Sequence, residues 1–263
     1  MSTVPHFGVL TAPEAWGTVD FISDLHLMPE EPATFAAWSH YMASTAADAV
    51  FILGDLFEAW IGDDAAQPGS FEGDCVQVLA RTAARLPVYL MHGNRDFLVG
   101  SPFLATLGVQ LLDDPTVLDW AGTRTLLTHG DLLCTDDVAY QRFRQQVRSP
   151  DWQRAVLARP LAERQVMAQQ MRAQSVAEQA SGVVYSDIDA PLARQWLNAA
   201  NAATLIHGHI HRPGDHELGH NADGQAQRQV VLSDWHIDGT DHRAQVLRLS
   251  SNGRLERIDL GPM

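Results

Sequence analysis

Six short apolar runs constrain the fold of this chain most strongly, because each ends abruptly in glycine or a polar residue. They read VDFISDLH from residue 19, AVFILGD from 49, PVYLMHGN from 87, RTLLTHGD from 124, ATLIHGHIH from 203 and QVVLSDWH from 229. Runs of this length that are rich in β-branched residues predict buried strands. The segments between the first three, PATFAAWSHYMASTAAD and GDCVQVLARTAARL, are typical of helices, so the order predicts an α/β fold.

Residues 136–182 differ from the rest of the chain, because they lack strand signals and are rich in Ala, Gln, Arg and Met. Pro150 and Pro160 divide this segment into three predicted helices, and Ser149 is a candidate N-cap for the helix that begins at Pro150. We therefore predict a core of residues 18–135 and 183–263, a helical insertion over 136–182, and a flexible leader over 1–17. The pair Asn252-Gly253 predicts a closing hairpin.

Composition and charge exclude several classes of protein. The 263 residues are 46% apolar, enough for a sizeable core, and their formal net charge of -14 disfavours nucleic-acid binding, which depends on Lys and Arg. All 18 basic residues are arginines. The cysteines, Cys75 and Cys134, lack metal-ligand spacing and fit a reducing compartment. No run approaches the roughly 18 apolar residues of a membrane span, so we expect a cytoplasmic protein.

The polar residues at the ends of the runs predict a metal site. Taken singly, each has a structural explanation, such as a helix cap for Asp24 or a left-handed turn for Asn94. Together they form one set, namely Asp24, His26, Asp55, Asn94, His129, His209 and His211. Oxygen and imidazole ligands without thiolate favour Mn, Fe or Zn over Ca or Mg. Because seven ligands are too many for one ion, they predict two ions about 3.5–4 Å apart that share a carboxylate.

The blocks SDLH, GDLFE, GNRD, THGD and GHIH resemble, in order and spacing, the five blocks of the calcineurin-like metallophosphoesterases. The resemblance implies a sandwich of two mixed β-sheets flanked by helices. It implies that one ion is held by Asp24, His26 and His211. It implies that the other is held by Asn94, His129 and His209, with Asp55 bridging the two. The implied cofactors are two Mn²⁺ ions, with Fe or Zn as alternatives.

Within that superfamily, the chain is similar to the UDP-2,3-diacylglucosamine diphosphatases of lipid A biosynthesis. The similarity runs from about residue 18 to the end and is carried by GDLFEAWIGDD, HGNRDFLVG, THGDLLCTDD and the arginine-rich insertion. It implies that metal-activated water attacks the α-phosphate of UDP-2,3-diacylglucosamine and releases UMP and 2,3-diacylglucosamine 1-phosphate. It also implies that the insertion over 136–182 is a helical cap that, with the core, encloses a lipid-linked UDP-sugar substrate. From that substrate and the basic cap we expect peripheral association with the cytoplasmic face of the inner membrane. The sequence gives no sign of an obligate protein partner.

The same similarity implies which residues contact the substrate. Asn94 and Arg95 are the implied catalytic residues, because a guanidinium fork can bind phosphate oxygens in the transition state. The matching substrate-binding positions are Asn94, Arg95, Asp137, Ser175, Gln179, Gly182 and His209. The family pattern has Asn at position 179 and Lys at position 182. We hypothesise that Arg172 supplies the missing cation; a shifted substrate preference, or a helix stop at Gly182, is the alternative.

Two other classes of function remain open. One is a different two-metal phosphoesterase of the same fold, acting on soluble nucleotides or phosphoproteins. Arg95, which replaces a histidine common in the superfamily, and the basic insertion argue against it. The other is a metal-free scaffold, which has no need of all seven ligands. His92 and His207 also end apolar runs, but we expect both to be hydrogen-bonded strand-end residues rather than metal ligands.

Overall fold

The structure is a computed structural model that describes residues 4–180, 187–238 and 242–261, without the side chains of 174–180. Its strands are β1 Gly8–Thr11, β2 Thr18–Ile22, β3 Ala49–Leu53, β4 Val88–Met91, β5 Val109–Leu112, β6 Thr116–Trp120, β7 Thr123–Leu127, β8 Thr204–His207, β9 Gly214–His220, β10 Ala226–Val231, β11 Gln245–Ser250 and β12 Leu255–Asp259. Its helices are α1 Pro32–Ser44, α2 Phe71–Ala83, α3 Ser101–Thr106, α4 Val138–Val147, α5 Pro150–Leu157, α6 Leu161–Ala180 and α7 Ala190–Ala200.

The strands form two mixed six-stranded sheets. The first sheet has the order β1-β6-β7-β8-β10-β9, and the second has the order β12-β11-β2-β3-β4-β5. In the second sheet β2, β3, β4 and β5 are parallel, and in the first sheet β7 is parallel to β8. The predicted fold class, two mixed sheets with flanking helices, is confirmed. The predicted closing hairpin is the antiparallel pair β11 and β12.

The inner strands β3 and β4 read as continuous apolar runs because both of their faces are covered. Along β3, Phe51 packs between the two sheets, whereas Val50 and Ile52 face the cluster beneath the helices α1 and α2. The outer face of the first sheet packs against α7 through residues such as Trp196. Two-sided burial of this kind removes the alternation of polar and apolar residues that a half-exposed sheet shows.

The insertion consists of the three helices that the prolines predict, α4, α5 and α6. Pro150 occupies the first turn of α5, and the Ser149 hydroxyl accepts a hydrogen bond from the Trp152 amide at 3.4 Å. Asp137 caps α4 in the same way, accepting from the Tyr140 amide at 2.9 Å. In the described parts of the chain, none of the helices has the length and apolar character to span a bilayer.

The N-terminal segment differs from the expected flexible leader. Residues Gly8–Thr11 form β1, which pairs in parallel with β6 so that Val9 lies opposite Val117. The expectation of a loose segment over 1–17 is therefore wrong for this stretch. Its four residues are too few to show a strand pattern on their own, and the hydrogen-bonding edge of β6 orders them.

A buried carboxylate, Asp20, joins β2 to α1 and β11. It accepts hydrogen bonds from the Tyr41 hydroxyl at 2.9 Å and the Thr45 hydroxyl at 2.8 Å. The Arg248 guanidinium donates to the same carboxylate, with Nε 2.7 Å from Oδ1. Because Asp20 is fully buried, it depends on these donors for the solvation that water would otherwise supply.

We expect Arg248→Ala to lower the free energy of unfolding by about 3 kcal/mol, because it leaves the Asp20 charge buried without its cation. The estimate is at the low end for such pairs because the arginine side chain is 26% exposed. Urea denaturation measures the change. Arg254→Ala is the matched control: it removes an exposed pair with Glu256 and is expected to cost less than about 1 kcal/mol. Equal losses would contradict a role for the buried pair.

Candidate metal centre

The loops that follow five strands meet at one edge of the two sheets. The strands are β2, β3 and β4 of the second sheet and β7 and β8 of the first. The loops after them carry the seven predicted ligands, namely Asp24, His26, Asp55, Asn94, His129, His209 and His211. The two sheets join there directly, since the His209 amide donates to the Asp24 carboxylate, 2.9 Å from Oδ2.

Backbone conformation at this edge is unusual. Positive φ angles occur at Asp24, His26, Asp55, His209 and His211, with values from 47 to 68°. This left-handed region is unfavourable for residues other than glycine, and residues held in it concentrate at functional sites. Hydrogen bonds hold these loops in place: the Asp24 amide donates to the Gly54 carbonyl at 3.1 Å and the His26 amide to the Asp55 carbonyl at 3.0 Å.

One group of ligand atoms comes from Asp24, His26 and His211. The Nε2 atoms of the two histidines are 3.2 Å apart. His211 Nε2 lies 3.3 Å from Asp24 Oδ1, and His26 Nε2 lies 4.0 Å from the same oxygen. These atoms all lie within 4.8 Å of one another, so they could hold one divalent ion.

A second group surrounds the Asn94 side chain. Its Oδ1 lies 3.0 Å from His129 Nε2 and 2.9 Å from His209 Nδ1. Asp55 lies between the two groups, with Oδ2 3.8 Å from His26 Nε2 and 3.8 Å from His129 Nε2. Asp24, Asp55 and His129 also bring ligand atoms within 4.8 Å of one another. The edge could therefore hold two ions, with Asp55 in contact with both.

The buried carboxylates at this edge favour positive charge beside them. Although burial opposes ionisation of Asp24, its interactions with His211 hold the pKa of that carboxyl well below its usual range. Burial disfavours the charged form of His129, but the carboxylates of Asp55 and Asp24 outweigh this and raise its pKa to about 9. Burial lowers the pKa of His209 to about 3, so its imidazole is neutral and offers a lone pair.

Two acidic residues at this edge have roles that the sequence did not reveal. Glu58 Oε2 lies 3.0 Å from His26 Nδ1. Partial burial would raise the pKa of Glu58, but its hydrogen bond with His26 brings it below the usual value. Asp96 accepts from the Leu56 amide at 2.8 Å and the Gly93 amide at 2.7 Å, tying two ligand loops together. Both acids lie inside the quoted blocks GDLFE and GNRD, a few residues after a predicted ligand. This closeness in sequence is the signal that could have identified them.

His207 and His92 make the hydrogen bonds expected of strand-end residues. His207 is buried, with Nδ1 2.8 Å from the Gly208 carbonyl and Nε2 3.0 Å from Gln229 Nε2. Burial lowers its pKa to about 4. His92 Nε2 lies 2.8 Å from the Val99 carbonyl. Neither residue is in the groups that could hold a metal.

A cavity of about 660 Å³ separates the ligand edge from the insertion. Predicted substrate-binding residues on its wall are Asn94, Arg95, Asp137, Arg172 and His209. The side chains of Ser175 and Gln179, and all of Gly182, lie outside the described residues. The Arg172 guanidinium points to the core side of the cavity, with Nε 3.3 Å from Glu58 Oε1.

Polar contacts dock the insertion on the ligand edge. Asp131, two residues after His129, accepts from the Tyr140 hydroxyl at 2.6 Å and from Arg144 Nε at 2.7 Å. Arg148 Nη2 donates to the Gly93 carbonyl at 2.8 Å. Helix α4 is thus bonded to the loops that carry ligands of the second group.

Comparison with known proteins identifies the class to which this fold and site belong. A sequence profile of the calcineurin-like phosphoesterases matches residues 17–213, so the chain belongs to that family. A UDP-2,3-diacylglucosamine hydrolase of Chromobacterium violaceum is 46% identical, over 83% of this chain and 90% of its own. A protein of the same name from Stenotrophomonas maltophilia is 42% identical, over 90% of this chain and 96% of its own. Another from Marinobacter nauticus is 45% identical, over 83% of this chain and 89% of its own. Among the calcineurin-like phosphoesterases, the chain is a member of the UDP-2,3-diacylglucosamine hydrolase family.

Proposed function

We propose that this chain hydrolyses the pyrophosphate bond of UDP-2,3-diacylglucosamine and releases UMP and 2,3-diacylglucosamine 1-phosphate, a step of lipid A biosynthesis. The observation that carries this proposal is the identity of 42–46%, over most of the chain, to hydrolases named for that substrate. The convergence of ligand atoms on a cavity large enough for a substrate supports it.

The seven residues at the ligand edge are proposed to bind two Mn²⁺ ions. Asp24, His26 and His211 would bind one ion. Asn94, His129 and His209 would bind the other. Asp55 would contact both. The buried carboxylates and the absence of thiolate in this donor set fit manganese, with Fe or Zn as alternatives. When bound, such ions supply Lewis-acid activation of water and screening of phosphate charge.

The other proposed roles belong to side chains on the cavity wall. Arg95 is held in place by its amide, which donates to Asp55 Oδ1 at 2.8 Å. Its guanidinium is proposed to bind phosphate oxygens and stabilise the charge that develops on them, next to the catalytic Asn94. The remaining proposed substrate contacts are Asp137, Arg172, Ser175, Gln179, Gly182 and His209. If Arg172→Ala changes neither KM nor kcat, its proposed contact is wrong.

The chain is proposed to work as a core, residues 18–135 and 183–263, and a cap, residues 136–182. Apolar side chains of the cap line the cavity, among them Phe143, Met167 and Met171. Unbranched thioether side chains adapt to irregular apolar ligands, which suits the acyl chains of the substrate. The cap would therefore bind the lipid part, while the ligand edge binds the pyrophosphate.

Purified protein with Mn²⁺ is expected to release UMP from UDP-2,3-diacylglucosamine, because both the metal ligands and an apolar cavity are present. EDTA should abolish the reaction, and added Mn²⁺ should restore it. Chromatography of the nucleotide product measures the rate. Turnover of soluble nucleotide esters with no release of UMP from the lipid substrate would instead support a soluble phosphoesterase. A wild-type protein that binds no metal would contradict both.

We expect His211→Ala to lower the bound manganese from two ions per chain to about one, because His211 belongs to the first group of ligands and not to the second. His207→Gln is the matched control: its hydrogen bonds to Gly208 and Gln229 are structural, so its metal content should stay near that of the wild type. Inductively coupled plasma mass spectrometry after dialysis gives the metal content per chain. Equal losses in the two variants would overturn the division between ligand and strand-end histidines.

The cap is also proposed to contact the cytoplasmic face of the inner membrane. Large apolar side chains outside the cavity wall are exposed on all three of its helices, namely Val138, Leu157 and Val166. The same segment carries exposed arginines, including Arg142, Arg154 and Arg159. An apolar surface with interspersed cations is what peripheral binding to anionic lipid requires.

The double variant Leu157→Ser and Val166→Ser is expected to weaken binding to vesicles of anionic phospholipid about tenfold. The two substitutions remove apolar surface that would be buried in the lipid, and a binding free energy weaker by roughly 1.4 kcal/mol corresponds to a factor of ten. Cosedimentation with the vesicles measures the binding. Val9→Ser is the matched control, because this valine is exposed on β1, outside the cap. Unchanged binding of the double variant would contradict the proposed membrane surface.

A further inference from the structure

Glu58 connects a proposed metal ligand to the cap. One carboxylate oxygen, Oε2, lies 3.0 Å from His26 Nδ1. The other, Oε1, lies 3.3 Å from Arg172 Nε on α6. The Glu58 side chain is only 15% exposed, so both contacts lie at the border of the cavity rather than in open solvent.

The contact with His26 has a direct consequence for metal binding. An imidazole binds a metal through one nitrogen, and its other nitrogen carries the proton. A carboxylate that accepts this proton orients the ring, selects the tautomer and makes the coordinating nitrogen more basic. In His26, Nδ1 faces Glu58, and Nε2 faces His211 and Asp24. Glu58 therefore holds the ring with its coordinating nitrogen toward the first group of ligand atoms.

The contact with Arg172 joins this carboxylate to the insertion. Arg172 also places Nη2 3.0 Å from the Met28 sulfur, so its guanidinium contacts the loop after β2 that carries His26. Because the arginine is on α6 and the carboxylate is on the core, the pair exists only when the cap is docked in this position. The same carboxylate thus contacts the proposed metal ligand through one oxygen and the cap through the other.

We propose that Glu58 is a positioning residue that orients His26 for metal binding, and that its ion pair with Arg172 couples the position of the cap to metal affinity. The inference rests on the two-metal site proposed above. Coupling between two sites is reciprocal for binding free energies, so metal on the His26 side should also favour docking of α6.

The test is a titration of metal-free protein with Mn²⁺ by isothermal calorimetry. Glu58→Ala is expected to weaken the affinity of one Mn²⁺ site by about 10- to 100-fold, the range seen when a partner of a ligand histidine is removed. Glu58→Gln keeps an oxygen that can accept from His26 Nδ1, so it should recover part of that affinity. Thermal unfolding of the metal-free variants checks that each has folded.

The coupling to the cap is tested by combining variants. Arg172→Ala alone should weaken Mn²⁺ binding less than Glu58→Ala does, and it should cause no further loss when added to Glu58→Ala. Hydrogen exchange of α6 should slow on addition of Mn²⁺ in the wild type but not in Arg172→Ala. Glu72→Ala is the control, since it removes a carboxylate from the same cavity on α2, a helix without a proposed ligand.

The outcomes separate this inference from the proposed function. If wild-type protein binds Mn²⁺ and Glu58→Ala binds it equally well, the positioning role is wrong and the metal site stands. If Glu58→Ala loses affinity and Arg172→Ala has an additive effect, the coupling to the cap is wrong. If the wild type binds no metal, both the inference and the proposed function are overturned.

Discussion

The hydrogen bond from the His209 amide to the Asp24 carboxylate is the contact on which the site depends, because it joins the two sheets at their carboxyl edge. Asp24 follows β2 of the second sheet and His209 follows β8 of the first, and the donor and acceptor are 2.9 Å apart. The sheets approach this closely because residue 208 is glycine. A Cβ there would overlap the Ser23 hydroxyl and the Asp24 carboxylate. Since both loops carry proposed ligands, a change in the distance between the sheets would displace ligands of both metal groups together.

The insertion extends this arrangement rather than adding a separate body. Its helix α4 bonds to the loop after β7 through Asp131, and to the loop after β4 through the Gly93 carbonyl. Arg164 of α6, although an arginine, is almost wholly buried and pairs with Asp64 of the core. Charged groups buried in this way are stable only while their partners remain in place. The insertion is therefore docked over the ligand edge by directional polar contacts around an apolar cavity.

The sequence predicted the parts of this structure that local pattern determines. The runs that became β2, β3, β4, β7, β8 and β10 each finish with buried apolar residues followed by glycine or polar residues, so the ends of these strands were visible as motifs. Strand β1 was missed because the stretch at Gly8–Thr11 is ordered by pairing with β6, more than 100 residues later. The role of Glu58 was missed for the same kind of reason, since its partner Arg172 is brought to it only by the fold. The predicted substrate positions Ser175 and Gln179 stay predictions.

The two proposed ion sites differ in their access to the cavity, and this difference explains where the cap can act. His129, a proposed ligand of the second ion, is fully buried, whereas the side chains of His26 and His211, proposed ligands of the first ion, are 17% and 41% exposed. His129 Nδ1 lies 2.9 Å from the Leu53 carbonyl of β3, so the core holds this ligand in place. His26 and His211 are open to the cavity. Glu58, which orients His26, is itself paired with Arg172 of α6. An insertion over such a site can change the environment of the His26 side without rearranging the sheets, because a side-chain contact moves far more easily than a strand end.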